Sequence, residues 1–311
     1  MPRPMGNPAK KPLILITGSS GMLGKALIKT MRQRHEVIGV SRHPGLGDVS
    51  CDLSDERQVG ELFKSHRPSL VIHCAAFSDV DGCERDPKAA YACNVMASKF
   101  LSEACAVSRV PWIYVSTDYV FGGQKTSPYD EKDATAPVNI YGLSKWCGEF
   151  YALASGVSSV IVRTSWLFGP SNSSNFVNAI LQSLKKEKEV SVLDDQTDSP
   201  TSVKDLSQAL QTIGEHLMAA HAKDPNSVWH DTFDVCNAGG TTRYDMTVQM
   251  KKDLGFKDVR VQKADTTQIK NRVAVRPSYA VMSTRHYENF FGKTLRPWQE
   301  SLREYVLEAA V

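Results

Sequence analysis

The chain has 311 residues, of which 41% are hydrophobic and 23% charged, with a formal net charge of +3. That is the make-up of an ordinary globular protein, one large domain or up to two modest ones. The small net charge argues against an extended nucleic-acid surface, and no apolar run is long enough to cross a bilayer.

Seven cysteines, an odd number with no Cys-x-x-Cys pair, read as reduced thiols and not as a disulfide framework or zinc site. A cytoplasmic protein is the expectation. Met1 to Lys11 holds three prolines and no apolar core, so it reads as a flexible tail and not as a secretory signal.

Leu13 to Thr17 is a continuous apolar run, the pattern of a strand buried on both faces. Thr17-Gly-Ser-Ser-Gly-Met-Leu-Gly24 follows and opens an amphipathic helix to about Arg34. Glycines at 18, 21 and 24 permit a tight turn and close approach of a pyrophosphate to a helix N-terminus. Gly18, Ser20, Gly21, Met22, Leu23 and Gly24 are therefore candidate dinucleotide-binding residues.

Glu36 to Val40 is a second strand and leads to Ser41-Arg42. A carboxylate at this place would accept from the 2′-hydroxyl of NAD. Here there is none, and Arg42 is suited to a 2′-phosphate, so NADPH is favoured with NADH possible. A short third strand ends at Cys51-Asp52. Asp52 and Leu53 could meet the adenine, although Asp52 could equally cap the segment starting at Ser54. Leu70 to Cys74 is a fourth strand, and Cys74, Ala75 and Ala76 are small enough to let a cofactor lie close. Asp86-Pro87 starts a helix that runs to about Val107.

Val110 to Ser116 is the next strand, followed by Thr117-Asp-Tyr-Val-Phe121, and Val160 to Arg163 is another. Between them lies Tyr141-Gly-Leu-Ser-Lys145. A tyrosine and a lysine four residues apart share one face of a helix. An ammonium beside a phenol lowers its pKa and fits it to exchange a proton with a carbonyl oxygen. Thr117, at a strand end, is placed to bond that same oxygen.

Strands alternating with helices predict an α/β fold, a Rossmann-like doubly wound parallel sheet over residues 12–168. A smaller mixed C-terminal substrate lobe is expected over residues 169–311, its elements interleaved with the first domain. Expected there are helices at Asn175 to Lys186, Ser202 to about Ala220, Thr242 to about Leu254 and Pro297 to Leu307. Strands are expected at Val190 to Leu193, Thr232 to Cys236 and Val259 to Lys263. No helix shows a distinct stripe for a partner, so a homodimer is left open.

The glycine turn, the Ser/Thr at a strand end and Tyr-x-x-x-Lys resemble the extended short-chain dehydrogenase/reductase family. Within it the chain is most similar to the dTDP-4-dehydrorhamnose reductases. The likeness runs from about Leu13 onward, through Ala75 to Glu84, Ser116 to Gly122, Pro128 to Glu131, Pro137 to Glu149 and Arg163 to Gly169, and ends at Arg276-Pro277. It implies a nucleotide-sugar 4-keto reductase in deoxysugar biosynthesis. Tyr141 would be the general acid, Lys145 would hold the nicotinamide ribose, and Thr117 would orient the carbonyl. Asp118, Tyr119, Val120, Trp166 and Arg276 would lie toward the substrate.

Two departures fall in the C-terminal half. Tyr279 and Ala280 replace the family's Asn-Ser, and Asp198 stands where a glycine is usual. The glutamates that carry a metal in some members have no counterpart here, so no metal is expected. A dehydratase would need a glutamate where Tyr119 stands, and an epimerase-reductase would need a Cys/His acid–base pair. The alternatives kept are a nucleotide-sugar 4-epimerase and an NADP-binding regulatory subunit resembling the methionine adenosyltransferase beta subunit.

Overall fold

The computed structural model describes residues 11–43, 45, 47–170, 175–264 and 272–310. The expected tail falls outside them except for Lys11. In chain order the first half holds β1 (Leu13–Thr17), α1 (Met22–Met31), β2 (Glu36–Ser41), β3 (Val49–Ser50), α2 (Glu56–His66), β4 (Leu70–His73), α3 (Val80–Arg85), α4 (Pro87–Ala90), α5 (Ala97–Ser108), β5 (Trp112–Thr117), α6 (Ile140–Leu153) and β6 (Ser159–Thr164). The second half holds β7 (Leu167–Phe168), α7 (Phe176–Lys186), β8 (Glu189–Leu193), β9 (Thr197–Asp198), β10 (Thr201–Ser202), α8 (Val203–Lys223), β11 (His230–Asp234), β12 (Thr241–Thr242), α9 (Arg243–Asp253), β13 (Arg260–Ala264), α10 (Arg285–Phe291) and α11 (Trp298–Ala310).

Seven strands form one sheet in the order β11-β6-β5-β4-β1-β2-β3, and every pairing in it is parallel. Alternate residues of β1 serve opposite layers, as the pleat requires. Ile14 and Ile16 pack with Leu27 and Met31 of α1 and with Leu206, Leu210 and Ile213 of α8. Leu15 packs on the other face with Leu62 and Phe63 of α2 and Leu101 of α5. The chain reverses its winding between β1 and β4, which opens a crevice at the carboxyl ends of the strands.

The remaining elements make a second core. Val177, Ile180 and Leu184 of α7, Val190 and Val192 of β8, Met246 and Met250 of α9, and Trp298 and Leu302 of α11 pack together. The strand expected at 232–236 begins two residues earlier and lies beside β6 in the main sheet. With α8 packed on α1, the later part of the chain supplies both an edge strand and a covering helix of the first layer.

Two expectations are corrected. The helix expected from Pro87 to Val107 is interrupted by a π-helical turn, Tyr91–Met96. That turn aims Asn94 inward, where its Oδ1 accepts from Phe77 N at 2.7 Å and its Nδ2 donates to Ser144 Oγ at 2.9 Å. A residue that bonds two other segments in this way holds the bulge in place. The second correction concerns α6, which does carry an apolar row. Leu143, Trp146, Phe150 and Leu153 recur three or four apart and are exposed, Phe150 by 68%.

Candidate active site

The crevice is a cleft of about 840 Å³. One end of it is built on the turn between β1 and α1. Gly18 has φ 68°, and a Cβ there would stand 2.7 Å from Ala75 N. A Cβ on Gly24 would stand 2.2 Å from the Gly18 carbonyl oxygen. The spacing of the glycines is thus what lets the turn close and pack on the end of β4. Gly21 caps α1 without a side-chain hydrogen bond, and the first turn holds no acid. The first backbone N–H groups of α1 are left to a ligand, in a field that favours an anion.

Gly18, Ser20, Gly21, Met22, Leu23 and Gly24 all line the cleft, as do Ser41, Arg42, Asp52, Leu53, Cys74, Ala75 and Ala76. Ser41 Oγ reaches Ser20 Oγ at 3.3 Å. Arg42 is exposed, and no carboxylate shares its strand end. Asp52 also serves as a local cap, its Oδ1 accepting from Ser54 N at 3.0 Å and Ser54 Oγ at 2.7 Å. These features fit a dinucleotide with a 2′-phosphate: open N–H donors, a floor of small residues and a cation at the adenosine end.

The middle of the cleft is made by β5 and α6. Asn139 caps α6, its Oδ1 accepting from Gly142 N at 2.8 Å. A Cβ on Gly142 would stand 2.1 Å from Tyr119 O. That glycine allows the start of α6 to rest on the 3-10 turn Asp118–Val120, and so brings Tyr141 to Thr117. The rings of Tyr119 and Tyr141 meet edge to face at 5.8 Å. Lys145 is buried, its Nζ donating to Val115 O at 2.8 Å and lying 4.2 Å over the Tyr114 ring.

Burial pulls the Lys145 ammonium down to about 8. Burial pushes the Tyr141 phenol up, and a hydrogen bond with Thr117 draws it partly back. The expectation that Lys145 lowers the phenol's pKa is therefore corrected for this state. The ammonium is turned toward the Val115 carbonyl, and of the groups acting on Tyr141, Thr117 lowers its pKa while Asp118 and Cys83 raise it.

Beyond Tyr141 the cleft is closed by the turn after β5 and the segment after β6, with Asn175 and Arg243 added from the later chain. Asp118, Tyr119 and Trp166 line it. Trp166 has φ 36°, a strained value for a bulky residue, and its carbonyl accepts from Thr201 N at 3.2 Å. Two expected residues are not among those lining this cleft. Val120 is fully buried behind the cleft, among Phe121, Tyr129 and Met282. Arg276 lines an adjoining cavity of about 360 Å³ and donates to Asp81 through both arms, at 2.8 and 2.7 Å.

Sequence reasoning missed Arg243. It starts α9, lines both cavities and lies 4.7 Å from the Trp166 ring and 4.9 Å from the Phe176 ring. Its buried Nε has no hydrogen-bond partner among the described residues. Nothing in Thr-Thr-Arg-Tyr-Asp sets this arginine apart from a solvated one in a first helical turn.

Residues 12–311 match the family model described as the RmlD substrate binding domain. The chain belongs to that family. It is 33% identical over 299 residues to the dTDP-4-dehydrorhamnose reductase of Streptomyces griseus, covering 96% of this chain and 94% of that one. It is 32% identical over 296 residues to the spore coat polysaccharide biosynthesis protein SpsK of Bacillus subtilis, covering 95% and 97%. The crystal structure of the dTDP-4-dehydrorhamnose reductase of Bacillus anthracis, solved in complex with NADP, superposes with a TM-score of 0.86 at 29% identity, covering 96% of this chain and 99% of that one.

Proposed function

We propose that this RmlD-family chain is an NADPH-dependent reductase of the C4 ketone of a nucleotide-linked 4-keto-6-deoxy sugar, of the dTDP-4-dehydrorhamnose type. The observation that carries the reading is the meeting of Thr117, Tyr141 and Lys145 midway along one cleft. The glycine turn stands at one end of that cleft and Trp166 and Arg243 at the other.

A bound NADPH supplies the hydride that adds to C4. The chain's part is to place the ketone and to neutralise its oxygen. Tyr141 donates its proton as negative charge grows on that oxygen. A phenol kept protonated by burial is in the right state to begin, and the bond it makes strengthens in the transition state. Lys145 is positioned to hold the nicotinamide ribose. Lowered by burial only to about 8, it is still mainly an ammonium at pH 7 and would donate to that ribose. Arg42 takes the 2′-phosphate.

At the far end Arg243 stacks between two rings and keeps an unpartnered donor for the substrate's diphosphate. Arg272 and Arg276 line the same adjoining cavity and add positive charge there, offset in part by Asp79 and Asp81.

The test is NADPH oxidation with a dTDP-4-keto-6-deoxy sugar, wild type beside Tyr141→Phe. The expected result is turnover in the wild type and a loss of about a hundredfold or more in kcat in the variant, with cofactor binding kept. A wild type that binds NADPH tightly yet turns over no such ketone would turn the reading to the regulatory-subunit alternative. Interconversion of C4 epimers without net NADPH consumption would indicate the 4-epimerase.

A further inference from the structure

Behind Thr117 lie two buried carboxyl groups. Asp118, 2% exposed, accepts from Thr117 Oγ1 at 2.9 Å through Oδ1 and from Ser165 Oγ at 2.8 Å through Oδ2. Asp198, 1% exposed, comes from β9 and its carboxyl interacts with that of Asp118. Its Oδ1 has no hydrogen-bond partner among the described residues. Two carboxyls in contact away from water need a proton between them, because two adjacent buried charges repel and neither has solvent to screen it.

We propose that Asp118 and Asp198 share one proton at neutral pH and that this pair is the proton reserve for Tyr141, reached through the Thr117 hydroxyl. The inference rests on the reductase reading above.

The geometry decides who does what. A hydroxyl has one hydrogen. While Asp118 is a carboxylate, Thr117 donates to it and offers only lone pairs to the cleft. When the shared proton moves onto Asp118, Asp118 donates to Thr117, and the Thr117 hydrogen is released toward Tyr141. The balance is complete. A dihydronicotinamide gives the hydride to C4, and Tyr141 gives its proton to the oxygen. The resulting phenolate takes the Thr117 proton, Thr117 takes the proton of the acid pair, and the pair is refilled from water. Asp118 touches the relay, whereas Asp198 acts through it and is a positioning residue.

The surroundings favour one proton on the pair. Burial and the neighbouring Asp118 carboxyl push Asp198 well up, which favours its protonated form. The hydroxyls of Ser165 and Thr117 favour the charged form of Asp118 against its own burial. The titratable groups facing the pair are Tyr119 from the 3-10 turn, Tyr141 from α6, Cys236 following β11 and Arg243 from α9. Only Arg243 is a cation, and it draws Asp198 down without removing the rise.

Asp198→Asn is the deciding variant, because an amide can still donate to Asp118 but cannot hold the proton. The first readout is infrared spectroscopy of the cofactor-free chain at neutral pH, following the carbonyl stretch of protonated carboxyls. The expected result is one such signal lost in the variant, with any signal from buried Asp234 unchanged. Equal spectra would overturn the proposal whether or not the chain is a reductase.

The second readout is kcat against pH in the NADPH assay. The expected result is a loss of about tenfold at neutral pH with KM unchanged, and an alkaline limb displaced to lower pH. A uniform loss with the limb in place would reduce Asp198 to a structural role and overturn the relay. A lost infrared signal in a chain that reduces no sugar ketone would overturn the relay and the reductase reading together, and leave the shared proton standing.

Discussion

Two buried aspartates in this protein have opposite fates. Asp205, 8% exposed, sits in the first turn of α8. Its Oδ2 accepts from Asn237 Nδ2 at 2.8 Å, from Arg296 Nε at 3.1 Å and from the Ser301 hydroxyl. Burial works against its charge, but these donors outweigh it and hold its carboxyl below the ordinary carboxylate range. Asp198, at the cleft, has another carboxyl for its neighbour and is pushed the opposite way. Burial alone does not set ionisation. The donors gathered around the group do, and a site that withholds them keeps chemistry available where the Asp205 site gains rigidity.

The largest effect should come from breaking the satisfied side. Asp205→Ala strands the donors of Asn237, Arg296 and Ser301, which tie α8 to α11 and to the segment after β11. We expect a loss of about 2 kcal/mol, the cost of stranding buried donors and less than that of breaking a fully buried ion pair, because Arg296 is partly exposed. Urea unfolding measures it, and kcat of the folded variant should stay unchanged.

Arg243→Met tests the unsatisfied side. It removes a buried charge with an unpartnered donor and replaces it with an apolar chain of similar length. Stability should hold or rise. KM for the nucleotide sugar should rise about tenfold, the contribution of one hydrogen bond to a charged group, with NADPH affinity unchanged. Titrating cofactor and substrate separately distinguishes the two.

The smallest effect is a slope. Asp198 has a raised folded value, so between the ordinary carboxylate pKa and that value the native chain holds a proton that the unfolded chain has lost. Stability therefore falls as pH rises through that window. Asp205 has a depressed folded value, so its contribution is full above the ordinary carboxylate pKa and is lost as pH falls through the folded one. Asp198→Asn should remove the first slope and keep the second, with a change of about 1 kcal/mol or less at neutral pH. Unfolding of wild type and variant across the pH range checks this. A difference that does not grow with pH would sink the contrast.

How much of this was legible beforehand follows from range. The glycine turn, the strand ends that follow β2 and β4, and the Tyr141/Lys145 pair are local patterns, and nearly all the residues expected from them line one cleft. That Val120 turns away from the cleft and Arg276 lines the cavity beside it was not legible, because contiguity with a motif does not say which way a side chain faces. The break in the helix after Pro87 was hidden because a π-helical turn keeps the same residue preferences as an α-helix. The apolar row on α6 was hidden because Leu143, Trp146, Phe150 and Leu153 read as core until the sheet is seen to lie on the opposite face.

The parallel sheet, the glycine turn and the pairing of Tyr141 with Lys145 on one helix could be read from the chain alone. Each depends on periodicity or on residues within a few positions of one another. That β11 closes the sheet beside β6, that Arg243 stacks between Trp166 and Phe176, and that Asp198 meets Asp118 came from the packing of the folded chain. Those contacts join segments far apart in the chain, and their energies depend on burial and on the partners present, which no local pattern records.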